Sequence, residues 1–346
     1  MKDVAELAGV GLKTVSRVVN REGYVSAETA ARVDAAIAQI GYRRNEIARS
    51  MVPGVSSTDL GLLLGDLRNP FFAAVASAVM AEARGRGLGV VMGSADEDPM
   101  TERAAIDGLL GRRVAGLLIV PGSKDYSFLK KEIERGTPVV FIDRPGPGLE
   151  ADEILIDNAN GARLAVQHLV AADFRRIAIL VAPSRYSTGE RLRGYRDVIR
   201  RNFGSVDDTL VRKLARGSRE EAERAARELL AMRRPPDAFF TTTDYVTQGL
   251  LRALDGRSDI GIVGFDDFPL ADHLPTPITV VSGDPTTLGT LAVQTLFERL
   301  EGDTGSPRRQ IVHPQLIVRG SGERPLGRPA GRRLGPDSPR PARPGV

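Results

Sequence analysis

Two basic side chains, Lys13 and Arg17, are four residues apart in the stretch LKTVSRVVN. In a helix this spacing puts both on one face, while the valines of the stretch face the opposite way. Arg and Lys on a helix that follows a glycine turn can donate hydrogen bonds to guanine O6 and N7 in the major groove of DNA. The same spacing also fits an ordinary helical bundle with a solvated basic face, so by itself it leaves both possibilities open.

Three short helices are predicted to position this basic face. Val4, Leu7 and Ala8 form one apolar stripe, and the valines of LKTVSRVVN form a second. Ser26 is typical of an N-cap for the third helix, and Gly41 is typical of its end. We therefore expect a compact trihelical module.

From Asp59 the pattern changes to strand, helix, strand, helix, after a linker that contains Pro53-Gly54. Apolar runs of this kind are typical of buried parallel strands. Eight strands are predicted in this region: Leu60 to Leu64, Val90 to Met92, Leu117 to Val120, Val139 to Ile142, Ile154 to Ile156, Ile177 to Val181, Ala238 to Phe240 and Ile260 to Val263. About 260 residues of such units exceed one ordinary sheet, so two lobes are expected.

The net charge of +4 and the isoelectric point near 9.5 come from the two ends of the chain. The 22 residues from Pro325 are mostly Pro, Gly, Arg and Ala without periodicity, and we expect them to be disordered. The start MKDVAELAG lacks an apolar leader, and no apolar run approaches the length of a membrane helix. We expect a cytoplasmic protein without a membrane segment.

Composition also limits the chemistry of the chain. There are no cysteines, and the three histidines are widely separated, which argues against disulfides, thiol catalysis and a metal site. No phosphate loop, dinucleotide fingerprint or nucleophile elbow is present, so we expect no cofactor and no enzymatic activity.

The segments KDVAELAGV, KTVSRVVN, GYVSAET and IGYRRNEIARS closely resemble the N-terminal helix-turn-helix of the lactose-repressor (LacI/GalR) family of bacterial transcription regulators. The resemblance implies that Leu12, Lys13 and Arg17 occupy the family's base-reading positions. Thr14, Ser16 and Asn20 are suitable for phosphate contacts. It also implies a hinge helix over residues 45–51 that enters the minor groove of a palindromic site, with Asn45, Ala48 and Met51 as its DNA contacts and Met51 as the wedge.

This DNA-binding head departs from the family pattern at three places. Gly11 replaces the usual serine before the second helix, which costs a few tenths of a kcal/mol. Arg44 replaces a common proline and offers a phosphate contact. The chain also begins at Met1 without the family's preceding threonine, so we expect that the true start lies a few residues upstream.

Residues 59–322 resemble the family's sensor, a periplasmic-binding-protein-like α/β core of two doubly wound parallel-sheet lobes. The expected organisation is a helix-turn-helix domain over 1–44, a hinge and linker over 45–58, a core over 59–324 and a tail over 325–346. Lobe 1 is assigned about 59–156 and 285–312, and lobe 2 about 157–284 and 313–324. Crossovers are expected near Ile156 to Asn158, Ser282 to Pro285 and Val312 to Gln315.

Matches to the sensor lie just past predicted strands or at helix starts, where doubly wound sheets place ligands. Sugars are held by carboxylates and guanidiniums that bind vicinal hydroxyls, and by aromatic faces. Asp143 and Arg144 could instead form a structural ion pair, and Phe71 is as consistent with core packing as with ligand contact. The predicted effector-binding residues are Asp66, Phe72, Asp143, Arg144, Ser187, Arg191, Phe240, Thr243 and Asp266.

Two polar groups that the family often uses are missing from this predicted site. Thr243 stands where an asparagine is usual, and Gly283 stands where a glutamine is frequent. Both changes shorten the reach toward a ligand. We therefore expect an effector that is bulkier than a simple pentose, or one held mainly by Arg144, Arg191 and Asp266.

The resemblance implies a homodimeric regulator that binds palindromic double-stranded operator DNA and responds to a sugar-like effector. Repression of carbohydrate genes is the main expectation. A solute-binding protein without DNA function is the alternative, but that class needs a secretion signal and no DNA-binding head.

Overall fold

The computed structural model describes residues 1–20, 23–42, 59–95, 98–183 and 185–324. The chain divides into two compact units, Met1–Ser57 and Thr58–Val346. Within the described ranges no helix combines the length and apolarity that crossing a membrane requires.

The first unit contains the three predicted helices, α1 (Lys2–Ala8), α2 (Leu12–Asn20) and α3 (Ala27–Ile40). Its small core is closed by valines from all three helices, one of which is Val15 at 0% exposure. Of the three residues in the predicted stripe of α1, Val4 and Ala8 are buried, whereas the side chain of Leu7 is 47% exposed. It lies at the edge of the apolar stripe of a two-turn helix, where the bundle is too small to cover it.

Local signals define the third helix. The side chain of Ser26 accepts a hydrogen bond from the backbone N–H of Thr29, which satisfies a donor that the helix leaves unpaired. The helix ends at Gly41, whose φ of 65° lies in the left-handed region that glycine adopts without strain. Both boundaries agree with the sequence-based prediction.

The second unit contains two six-stranded sheets, each flanked by helices. Lobe 1 has the strand order β11-β5-β4-β3-β1-β2 and pairs all its strands in parallel. Its strands are β1 (Asp59–Leu64), β2 (Gly89–Ser94), β3 (Gly116–Ile119), β4 (Val139–Asp143), β5 (Asp152–Ile156) and β11 (Arg309–Val312). Its helices are α4 (Pro70–Gly85), α5 (Pro99–Gly111), α6 (Lys130–Glu134) and α11 (Pro285–Leu300).

Lobe 2 has the strand order β12-β10-β9-β8-β6-β7. Its strands are β6 (Ile177–Val181), β7 (Val211–Lys213), β8 (Ala238–Thr241), β9 (Gly261–Phe265), β10 (Thr279–Ser282) and β12 (Gln315–Ile317). Its helices are α7 (Asn158–Ala171), α8 (Tyr186–Phe203), α9 (Arg219–Leu230) and α10 (Asp244–Leu254). The parallel architecture is confirmed apart from β12, which runs antiparallel to β10 and pairs Val280 with Ile317.

The chain passes between the lobes three times: after β5, after β10 and after β11. These places coincide with the crossovers that the sequence predicts. Strands β7, β10, β11 and β12 are absent from the sequence-based prediction. They have three or four residues each, and so short a segment pairs only because a neighbouring strand is already in place.

Candidate functional site

The second helix of the head carries an exposed face of mixed apolar and basic character. Leu12 is 47% exposed, and Lys13 and Arg17 are exposed as well, whereas Val15 behind them is fully buried. The carbonyl of Gly11 accepts hydrogen bonds from the backbone of Thr14 and Val15 and so begins the helix without a side-chain cap. The geometry therefore presents the three predicted base-reading residues to solvent on one helix.

The remaining predicted DNA contacts have different positions. Thr14 and Ser16 are half-buried on α2, and Asn20 is its last residue. Asn45, Ala48 and Met51 lie outside the described residues, so the hinge prediction stays a prediction.

A cavity of about 190 Å³ separates the two lobes of the second unit. Eight of the nine predicted effector-binding residues line it: Asp66, Phe72, Asp143, Arg144, Ser187, Arg191, Thr243 and Asp266. Seven of them lie at or just past the carboxyl end of a strand or in the first turn of a helix, because parallel sheets collect both at one edge, and Arg191 lies in the second turn of α8. The structure brings these residues together, and ligand binding by them stays a prediction.

The lobe 2 side of the cavity is organised around Arg191, which is 3% exposed. Its Nε donates to Oδ1 of Asn158 at 2.8 Å, and its Nη1 donates to the carbonyl of Thr242 at 2.6 Å. Nη1 also donates to Oδ2 of Asp266 at 3.0 Å. The guanidinium carbon lies 3.5 Å from the ring centroid of Phe265. So many fixed partners hold the guanidinium in one orientation.

The position of Asp266 is fixed by its backbone, as that of Arg191 is by its side-chain contacts. Its φ of 70° lies in the left-handed region, and its backbone N–H donates to the carbonyl of Val281 at 2.9 Å. Such strain persists only where the surroundings impose it, and it is frequent at ligand sites. Burial raises the pKa of Asp266, and the guanidinium of Arg191 opposes that rise.

A second buried carboxylate, Asp244, lies near Asp266. It is 1% exposed, and among the described residues no side chain donates a hydrogen bond to its carboxylate. Burial, followed by repulsion from Asp266, raises the pKa of Asp244 to about 6. Lobe 2 therefore holds more buried negative charge than Arg191 alone compensates.

The lobe 1 side combines a buried ion pair with aromatic rings. Asp143, with a φ of 67°, is 3.3 Å from Nε of Arg144, and both line the cavity. Arg144 Nη1 donates to the carbonyl of Pro121 at 3.1 Å, and its guanidinium carbon is 5.9 Å from the ring centroid of Phe72. Phe71 packs edge-on against Phe72 at 5.3 Å. The ion pair exists in the structure and lies where it can also contact a ligand.

The rim of lobe 1 is more exposed. Arg68 Nε donates to Asp66 Oδ1 at 2.9 Å, and the backbone N–H of Arg68 donates to the same oxygen at 2.9 Å. Partial burial raises the pKa of Asp66, but these hydrogen bonds outweigh it and keep the pKa below its ordinary value. The carboxylate of Asp66 is therefore both ionised and oriented by the turn that carries it.

A hydrogen bond joins lobe 1 to lobe 2 at the edge of the cavity. The hydroxyl of Tyr245, at the start of α10, donates to the backbone carbonyl of Arg68 at 2.6 Å. The guanidinium of Arg219 lies over the tyrosine ring at 4.4 Å, and its Nε donates to Oε1 of Gln248 at 2.6 Å. The contact with Arg219 of lobe 2 therefore fixes the tyrosine ring while its hydroxyl binds lobe 1.

The two departures from the family pattern have local explanations. The Thr243 hydroxyl accepts from the backbone N–H of Val246 at 3.4 Å and caps α10. A Cβ at Gly283 would lie 2.5 Å from Cδ1 of Ile156, so a side chain there would require movement of that residue. Both positions offer less polar reach than asparagine or glutamine would.

Phe240 does not line the cavity, so the prediction that it binds the effector is wrong. Its side chain is fully buried and packs among apolar residues of lobe 2 such as Phe265 and Val198. The physical reason is its place within central strand β8, one residue before the strand ends at Thr241. Thr243 lies beyond that strand end and reaches the cavity.

Sequence reasoning also missed several lining residues. Asn69 and Tyr245 lie at helix starts, so the rule that located Asp66 and Thr243 could have found them. Arg185 is the N-cap residue of α8 and also lines the cavity. Arg216 follows β7, a three-residue edge strand that the sequence pattern does not reveal.

Comparison with known proteins distinguishes the same two parts of the chain, the N-terminal three-helix unit and the two-lobed core. Residues 1–45 match the family of bacterial regulatory proteins of the lacI type, and residues 166–322 match a periplasmic binding protein-like domain. The chain is 33% identical over 332 residues to the HTH-type transcriptional regulator CelR of Thermobifida fusca, covering 92% of this chain and 97% of that protein. The chain belongs to the lacI family. It is also 30% identical to the ribose operon repressor of Escherichia coli K12 over 93% of this chain and 99% of that protein.

Solved structures of lacI-family proteins extend the comparison to the fold. A lac repressor dimer bound to operator and the anti-inducer ONPF matches with a TM-score of 0.81 and 27% identity, over 93% of this chain and 98% of that chain. The complex of CelR with cellobiose matches with a TM-score of 0.69 and 31% identity, over 92% of this chain and 98% of that chain. The predicted fold class is therefore confirmed.

Proposed function

We propose that this lacI-family chain is a homodimeric, sequence-specific DNA-binding regulator that represses carbohydrate-related genes and responds to a sugar-like effector. The observation that carries the proposal is the presence, in one chain, of an exposed basic recognition helix and a cavity lined by paired carboxylates and guanidiniums. Binding DNA in the cell places the protein in the cytoplasm, and a regulator of this kind needs no enzymatic activity.

On the DNA side, Leu12, Lys13 and Arg17 read bases in the major groove. Their exposure on one face of α2 supports this assignment. Thr14, Ser16 and Asn20 contact phosphates, and the hinge residues Asn45, Ala48 and Met51 enter the minor groove. Two protomers on a palindromic operator supply two such heads.

On the effector side, Arg144, Arg191 and Asp266 hold the ligand hydroxyls, while Asp66, Asp143, Ser187 and Thr243 complete the polar lining. Phe72 offers its ring to the apolar face of a sugar. The short reach at Thr243 and Gly283 supports an effector larger than a pentose. Cellobiose in the complex of the similar CelR makes a disaccharide the first candidate.

The effector controls DNA binding if its affinity differs between two arrangements of the lobes. An effector that binds the closed cavity more tightly than the open one shifts the population of lobe arrangements. If the dimer binds operator in only one arrangement, effector and DNA are coupled reciprocally.

The test is a fluorescence-anisotropy titration of the protein with its own upstream DNA and with scrambled DNA, repeated with cellobiose, ribose, sugar phosphates and nucleosides. We expect tighter binding to the upstream palindrome and a change in affinity with one ligand. Arg17→Ala should weaken specific binding by about 1 to 3 kcal/mol. The exposed Arg32 of α3 provides the matched control, since Arg32→Ala leaves α2 intact.

Two outcomes would contradict the proposal. Equal affinity for upstream and scrambled DNA at moderate salt would favour a ligand-binding protein without DNA function. Tight binding of ribose that is insensitive to substitution of Thr243 would overturn the expected effector size.

A further inference from the structure

A buried acidic residue lies outside the cavity that binds the proposed effector. Glu102, on helix α5 of lobe 1, is 1% exposed. Its Oε2 accepts a hydrogen bond from the backbone N–H of Gly122 at 2.9 Å, and its Oε1 accepts from the hydroxyl of Tyr126. A carboxylate is costly to bury unless its oxygens are satisfied, and here both oxygens accept hydrogen bonds.

Tyr126 completes the arrangement from the other side. It is fully buried, and its hydroxyl accepts from the backbone N–H groups of Gly122 at 3.0 Å and Ser123 at 3.1 Å. Its ring packs edge-on against Phe141 of β4 at 5.1 Å. Two buried side chains therefore hold two successive backbone amides just after strand β3.

Space around this turn is limited. A Cβ at Gly122 would lie 2.6 Å from Oε2 of Glu102, so the close approach of backbone and carboxylate requires glycine. The turn, the carboxylate and the hydroxyl form one unit of fixed geometry.

That unit is one residue away from a cavity contact. The carbonyl of Pro121 accepts a hydrogen bond from Arg144 Nη1 at 3.1 Å. Arg144 is 7% exposed, lines the cavity and pairs with Asp143. Any movement of residues 121–123 moves the acceptor that orients this guanidinium.

We propose that Glu102 and Tyr126 are positioning residues for effector recognition, which fix the guanidinium of Arg144 in the cavity through the turn of residues 121–123. Neither side chain lines the cavity, so they act only through Pro121 and Arg144. The assignment of Arg144 as an effector contact belongs to the proposed function, but the coupling of Glu102 to Arg144 holds in the absence of any ligand.

The test measures this coupling directly in the sugar-free protein. The side-chain Nη–H₂ groups of Arg144, one of which donates to Pro121, are assigned by their loss in Arg144→Lys, and their hydrogen exchange is followed by ¹⁵N NMR together with the amides of Gly122 and Ser123. In Glu102→Gln an amide replaces the carboxylate, and its N–H₂ group cannot accept the hydrogen bonds that Gly122 and Tyr126 donate. We expect about tenfold faster exchange at all three sites, because a hydrogen bond to a charged group is lost.

A second variant and a control separate positioning from general stability. Tyr126→Phe removes only the hydroxyl and should also accelerate exchange at all three sites. Asp107→Asn lies on the same helix, but its carboxylate belongs to an exposed pair with Arg103, so exchange should not change. Faster exchange at Gly122 and Ser123 with Arg144 unchanged would overturn the proposal and leave Glu102 as a structural group of lobe 1. Unchanged exchange at all three sites in a folded variant would overturn it as well.

Because no sugar is present, failure of this experiment is distinct from failure of the proposed function. If the coupling is observed and no sugar binds, Arg144 is positioned for another ligand. If sugars bind and the coupling is absent, Arg144 is oriented independently of Glu102 and Tyr126.

Discussion

The two sides of the cavity hold their charged groups in different ways. In lobe 2, the side chains of Arg191 and Asp266 are 4% and 6% exposed, and buried groups surround them. At the rim of lobe 1, the side chains of Arg68 and Asp66 are 80% and 19% exposed. Buried pairs resist reorientation, whereas exposed pairs are screened by water and contribute little. We infer that the buried pairs, Arg191 with Asp266 in lobe 2 and Arg144 with Asp143 in lobe 1, provide the fixed binding surface and that the exposed lobe 1 rim adapts as the cavity closes.

The largest expected effect comes from breaking the buried pair. Arg191→Met leaves Asp266 buried without the cation that pairs with it, and we expect a loss of about 3 to 5 kcal/mol in the free energy of unfolding. Urea denaturation followed by circular dichroism measures it. Arg193→Met is the control, since Arg193 on the same helix pairs with Glu190 at the surface and should cost less than about 1 kcal/mol. Equal losses in the two variants would remove the distinction between buried and exposed pairs.

The next effect depends on pH and comes from Asp244. Its pKa is raised from 3.8 to about 6, so the ionised group destabilises the folded state at pH 7.5. Asp244→Asn should then be more stable than the wild type by up to about 3 kcal/mol. As the pH falls from 6 towards 4, the folded wild type takes up a proton and this advantage should disappear.

Urea denaturation at pH 7.5 and pH 4.5 tests that prediction, and Asp259 provides a control of opposite sign. Its hydrogen bond from Arg257 lowers the pKa of Asp259, so the wild type should be the more stable form at pH 7.5 and should lose that advantage in acid. An advantage of Asp244→Asn that is the same at both pH values would show that charge is not its cause.

A smaller effect, on the balance between closed and open arrangements, is expected at the hydrogen bond that joins the two lobes. Tyr245→Phe keeps the ring beneath Arg219 but removes the hydrogen bond to the carbonyl of Arg68. The closed arrangement should lose about 1 kcal/mol relative to an open one. Small-angle scattering of the sugar-free protein should show a larger radius of gyration than for Tyr186→Phe, which changes an exposed tyrosine of the same lobe. Identical scattering from the two variants would argue against a closing role for Tyr245.

The smallest effect is expected for the exposed pair itself. Arg68→Gln removes the side chain but keeps the carbonyl that Tyr245 contacts. The free energy of unfolding should fall by less than about 1 kcal/mol, and the difference should shrink further in high salt. A loss comparable to that of Arg191→Met, insensitive to salt, would mean that the lobe 1 rim is also a fixed surface.

Sequence reasoning predicted the position of the cavity correctly, but it did not identify every residue that lines it. The rule that ligands lie beyond the carboxyl ends of parallel strands, together with the family resemblance, selected Asp66, Asp143 and Asp266, which the structure brings together. The same reasoning was wrong for Phe240, because the end of β8 decides which side chains clear the sheet. It missed Arg216 because β7 is recognisable only from its pairing with β6.

Local patterns in the sequence by themselves determined the elements that depend on neighbouring residues. The helices of the head, the cap at Ser26 and the end at Gly41 follow from spacing and backbone preference over a few residues. The alternation of strands and helices in the core follows from apolar runs of the same length scale.

Only the tertiary structure decided which distant groups meet. Arg191 and Asp266 are 75 residues apart, Glu102 and Gly122 are 20 apart, and Tyr245 reaches Arg68 across 177 residues. No local preference encodes such contacts, because they depend on the order of strands in each sheet and on the three passages of the chain between the lobes. Their burial also sets the pKa of Asp244 and the orientation of Arg144, which no composition or spacing reveals.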